Sequence, residues 1–151
     1  MRMTDRVHVG RHNSGLLDIG GTDVHNGVAA ADWIDMALYD QVTFYVFLGP
    51  TWNAADQLDT CHVNQANTAI GGGTKALVPA VNLDQIAANA AGEIFTMEVT
   101  AAHCDTENGF HWIRAEVGEA GNTGVDECVV IAVRYGARFQ NDDMVAATDE
   151  A

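Results

Sequence analysis

One lysine, Lys75, stands among 21 acidic residues, and with six arginines the formal net charge is -14. That field repels polyanions, so direct DNA or RNA binding is excluded as a main activity. Two prolines and three cysteines are all the chain has of those types. Cys61, Cys104 and Cys128 are odd in number, widely spaced and without a C-x-x-C pair, which excludes a disulfide framework. They read as reduced, half-buried thiols packed as small hydrophobes. Apolar runs such as "VTFYVFL" and "CVVIAV" fall far short of the roughly 18 residues of a membrane helix. The start, "MRMTDRVHVGRHNSG", has no apolar core of a secretory signal, so the chain is expected to stay where it is made.

What remains suits one folded domain. At 151 residues and 48% hydrophobic, the chain can bury roughly 70% of its unfolded surface. Residues 1–30 are polar and glycine-rich and read as an N-terminal arm, with Leu16, Leu17 and Ile19 able to pair as an edge strand. Residues 31–138 carry strand patterns, and the acidic stretch 139–151 reads as a C-terminal tail.

"DWIDMALYD" alternates Ile34, Met36 and Leu38 against Trp33, Asp35, Ala37 and Tyr39, and reads as a strand joined to the next at Tyr39-Asp40. In "QVTFYVFLG", Val42, Phe44, Val46 and Leu48 alternate with Thr43, Tyr45 and Phe47. "LDTCHVNQAN" is another strand, "TAIGGGTKALVPA" breaks regular structure, and "LDQIAANAAGE" suits a short helix. "EIFTMEVTAAHCD" and "GFHWIRAEVGE" follow as strands. "VDECVVIAVRYGAR" is the most apolar and is expected at a sheet centre. This spacing predicts an all-β fold, an antiparallel β-sandwich or jelly-roll-like barrel.

The stretch "AAHCDTENGFHW" concentrates reactive residue types: His103, Cys104, Asp105, Glu107 and His111. "DTENG" has turn chemistry, with Gly109 supplying a positive φ. Residues 95–104 and 110–117 are therefore expected to form a hairpin with His103 near His111. A zinc site needs three or four convergent ligands, and His62 or Cys61 would have to join them. No spacing requires that, so no metal is expected. Cys104 lacks the base and sharp elbow of an activated nucleophile. "GGGTKA" fails the phosphate-loop spacing. "DTENG" fails that of a calcium loop. "QNDD" reads as solvated tail. Trp33, Trp52 and Trp112 suit core and interface better than a sugar platform. No catalytic residue and no cofactor is expected.

The order of segments carries a resemblance. "Y-x-x-V-x-F" falls on Tyr39, Val42 and Phe44. "Q-A-x-x-x-x-G-x-G-x-K-A-L" falls on Gln65, Ala66, Gly71, Gly73, Lys75, Ala76 and Leu77. "G-F-x-x-I-R" falls on Gly109, Phe110, Ile113 and Arg114, and an Arg-Tyr pair on Arg134 and Tyr135. Across residues 30–139 this resembles small structural virion proteins of tailed bacteriophages. The resemblance implies a virion component with no catalytic set. Joined to the acidity and the polar ends, it leads to the expectation of a capsid decoration (cement) protein. Such a protein is made in the host cytoplasm and carried on the capsid surface. It binds the outside of the major capsid protein lattice as a homotrimer, without nucleic acid or membrane. Leu16, Leu17, Trp33 and Trp52 are its expected anchors. A neck, tail-terminator or tail-tube component, a carbohydrate-binding attachment module, and a metalloenzyme on His62, His103 and His111 are the alternatives.

Overall fold

The long strands alternate between two antiparallel sheets rather than forming hairpins in one. This arrangement comes from a computed structural model, which describes residues 22–23, 27–30, 33–52, 58–83, 91–119 and 127–137. The elements are β1 (Thr22–Asp23), β2 (Gly27–Ala30), β3 (Ile34–Asp35), β4 (Tyr39–Leu48), β5 (Leu58–Ala66), β6 (Lys75–Ala76), β7 (Ile94–Thr100), β8 (Trp112–Glu119) and β9 (Glu127–Ala137). The first sheet, here sheet A, has the order β1-β9-β4-β7. Sheet B has the order β2-β8-β5-β6, with β3 also on β8. The two pack face to face as an all-β sandwich, the expected class.

The alternation read from the sequence sets which face of each strand is buried. Val42, Phe44, Val46 and Leu48 of β4 pack with Met97 and Val99 of β7 and with Cys128 and Val130 of β9. Against them lie Cys61 and Val63 of β5 and Ile113, Ala115 and Val117 of β8. Full burial of each large side chain stabilises by about 1.5–3 kcal/mol before the chain entropy is charged.

β9 lies inside sheet A, between β1 and β4, as expected, though among the described residues β1 pairs with just two of its residues while β4 is paired along its length by both β7 and β9. Several expectations change. "DWIDMALYD" is not one strand. It makes two residues of β3, turns through Met36–Leu38, and enters β4 at Tyr39. The reason is Asp35, whose Oδ1 accepts the Ala37 N–H at 2.8 Å and competes with the ladder. The end of the expected arm is used in the sandwich, with β1 on the edge of β9 and β2 on the edge of β8. The expected helix lies mostly outside the described residues, as do Leu16, Leu17 and the stretch 139–151.

The thiols are buried, not half-buried. Burial pushes the Cys104 thiol up to about 11 and the Cys128 thiol up to about 12. Burial, rather than neighbouring acids, is what disfavours the thiolate. With dithionitrobenzoate at pH 8, none of the three cysteines is expected to react quickly in the folded protein, and all three after denaturation. One fast native thiol would reopen the nucleophile reading.

Candidate partner interface

"AAHCDTENGFHW" is a crossover between the sheets, not a hairpin. β7 pairs with β4 in sheet A, and β8 pairs with β2, β3 and β5 in sheet B. Two short 3-10 turns, Ala101–His103 and Thr106–Asn108, carry the chain across, and Gly109 closes the second at φ 80°. The turn chemistry of "DTENG" is real, but it bends an arch.

The histidines of the arch bond to different partners. His103 Nδ1 accepts the Thr100 N–H at 3.0 Å, which caps the first 3-10 turn. His111 Nδ1 lies 2.8 Å from Asp35 Oδ1. His62 Nε2 lies 3.3 Å from Glu116 Oε2, on the outer side of sheet B. Each ring has its own polar neighbour, and the β7–β8 pairing that was expected to set His103 near His111 is not formed. Among the described residues no group of three His, Cys, Asp or Glu side chains converges.

Three side chains hold the arch: Gln65, Lys75 and Asn108. Gln65 sits on the core side of β5, in step with Cys61 and Val63, and is 0% exposed. Its amide nitrogen donates to the Ala76 carbonyl at 2.9 Å, and its oxygen accepts the Asp105 N–H at 2.8 Å. Lys75 pairs with Asp105, and its ammonium stands 3.8 Å from the centre of the Phe110 ring. Asn108 donates to both Asp105 oxygens. Hydrogen bonds from Lys75 and Asn108 hold the Asp105 carboxyl below the usual aspartate range. Gln65, Lys75 and Phe110, three motif positions far apart in sequence, thus share one task.

Beside the arch, sheet B carries a polar outer stripe. The Trp33 ring has the Arg114 guanidinium 4.6 Å from its centre and Gly71 close against it. A Cβ on Gly71 would meet that ring at 3.0 Å, and its φ of 86° favours glycine as well. Arg114 Nε donates to Glu116 Oε1 at 2.8 Å. Burial opposes ionisation of Glu116, but Arg114, Asn64 and His62 outweigh it and hold the carboxyl below its ordinary value. The sign follows from linkage. The stability from these contacts is full above the unfolded glutamate value, about 4.3, and is lost as pH falls through the lower folded value. Urea titrations are expected to show Glu116→Gln with a shallower loss of stability below about pH 4 than the parent; identical acid slopes would contradict this.

Sheet A presents the opposite chemistry outward. Phe47 is opposite Ile94 on one side and Val129 on the other, and Tyr45 is opposite Ile131. Ile94 is 57% exposed and Ile131 45%. Tyr45 and Tyr135 bracket the Thr43–Val133 pair, and the hydrogen bond between their hydroxyls raises the Tyr45 phenol above its ordinary value.

Of the expected anchors, Trp33 is half-buried on the sheet B side. Trp52 is 4% exposed within the core, so its indole is not offered to a partner. Leu16 and Leu17 lie outside the described residues. The outer face of sheet A was missed by the sequence reading. Its signal was the apolar character of both alternating sets in β4 and β9, which marks a strand with little polar face. Compared with protein families, with curated proteins and with solved structures, the chain gave no match in any of the three.

Proposed function

We propose that this protein is a structural component of a tailed-phage virion, a capsid decoration protein on the outside of the major capsid protein lattice. The observation that carries the reading is the outer face of sheet A. Tyr45, Phe47, Ile94 and Ile131 form an apolar patch on a chain of net charge -14. Apolar patches rimmed by polar surface mark protein contact sites. The acidity turns such a protein away from DNA and toward the outer side of a shell. A modest contact per subunit gains by avidity when a trimer meets a repeating lattice. The segment order described above adds to the same reading. A neck or tail ring is the nearest alternative, and it would close on itself without a shell.

Sedimentation with expanded, undecorated heads tests the proposal. Saturable binding is expected, and it is expected to survive high salt, because screening removes charge attraction but leaves apolar contact. Absence of binding, together with closed rings of free protein, would overturn it.

A further inference from the structure

The outer face of sheet A runs from the rung Thr100–Gln41–Tyr135 to the rung Ile94–Phe47–Val129. Between those limits Glu98 of β7 is the one charged residue turned outward. It is exposed and stands opposite Thr43, whose other neighbour is Val133. The phenols of Tyr45 and Tyr135 bracket that same rung and bond to each other across it. The Tyr45 phenol is raised first by the Tyr135 hydrogen bond and charge, then by burial, and last by the charge of Glu98, so the carboxylate stands near the phenol pair. Among the described residues no lysine, arginine or histidine pairs with Glu98. Elsewhere the protein shows what such a set holds. On sheet B the Arg114 guanidinium stands 4.6 Å from the centre of the Trp33 ring and donates to Glu116. An aromatic ring and a carboxylate hold an arginine there. On sheet A the same two kinds of group face outward, and among the described residues no arginine fills them.

We propose that the outer face of sheet A receives one arginine of the partner protein, seated between Glu98 and the Tyr45–Tyr135 pair, with apolar side chains of that partner around it on Phe47, Ile94 and Ile131. This rests on the reading that the face docks on a shell, and it names what the face takes. A guanidinium offers five N–H donors in one plane. The Glu98 carboxylate accepts two of them and a phenol oxygen another, while a tyrosine ring covers the flat face. A lysine ammonium is more strongly hydrated and does not stack in this way. The net charge of -14 draws a basic surface in, and a single carboxylate on an otherwise uncharged face fixes where it docks. The match is one cation to one carboxylate, so further acid on the face finds no partner. The pair closes within an apolar contact, where salt screens it little.

Sedimentation of the full chain with undecorated heads, at one salt concentration, tests it. Glu98→Gln is expected to bind about 10-fold more weakly than the parent, and Glu98→Lys more weakly still. Both are expected to melt with the parent, because Glu98 is exposed. Glu107→Lys, in the arch, changes the net charge as much as Glu98→Lys and is expected to bind as the parent does. The preference of the heads for the parent over Glu98→Gln is expected to vanish when head arginines are modified with phenylglyoxal and to survive acetylation of head lysines. Equal binding by the parent and Glu98→Gln, beside weak binding by Ile131→Asp, would overturn the arginine and leave the docking face in place. An equal loss in Glu107→Lys would reduce the effect to net charge and overturn the site. Loss of the preference on lysine acetylation alone would replace the arginine with a lysine. No binding by the parent would overturn the docking reading and this inference with it.

Discussion

Gln65→Leu is expected to lower the unfolding free energy by about 2–4 kcal/mol. Leucine fits the volume, so the loss is one of polar pairing. Gln65 is fully buried, and its amide joins two otherwise separate backbone groups, the Ala76 carbonyl on β6 and the Asp105 N–H in the arch. Leucine takes that partner from both; Ala76 is exposed, so the larger loss falls on the Asp105 N–H, and an unsatisfied group costs about 1–3 kcal/mol where water cannot reach it. In a domain of this size that is a fall in Tm of roughly 5–15 °C. Lys75→Met is the instructive contrast. The Lys75–Asp105 pair is partly exposed, so its removal is expected to cost less and to matter less as salt rises. Equal stability of Gln65→Leu and the parent would mean that the arch is not held through this residue.

Ile131→Asp is expected to leave the sandwich folded and to weaken shell binding about 30-fold or more, the scale of losing a central interface anchor. Ile131 lies opposite Tyr45 in the outer apolar face and is 45% exposed, so little packing is lost within the chain. A carboxylate in a desolvated contact has no partner there and is costly to bury. Tyr45→Glu, on the neighbouring strand β4, is expected to do the same, so the loss is traced to the face and not to one side chain. Ile70→Asp is the control. Ile70 is 92% exposed in the turn between β5 and β6, away from that face. Shell binding by Ile131→Asp at parental strength would remove the face from the account.

The long strands were legible because their alternation is strong. Val42, Phe44, Val46 and Leu48 are buried as read. The partnering of those strands was not legible. "DTENG" states that the chain turns at Gly109, but a turn does not state whether the next strand pairs with the last one or crosses to the other sheet. That choice rests on contacts distant in sequence, such as Gln65 with Asp105 and Asp35 with His111. Gln65 did leave a trace, as the polar member of an inward set with Cys61 and Val63. The histidines misled because the expected hairpin would have paired them, and β7 and β8 lie in different sheets.

The central claim is that the chain coats a shell. Counting its copies against the major capsid protein in purified virions, by quantitative mass spectrometry, tests that most directly. The account expects copies in a fixed proportion to the shell lattice, as a trimer repeated over the surface requires. A count equal to a single ring would contradict it and move the protein to the neck or tail.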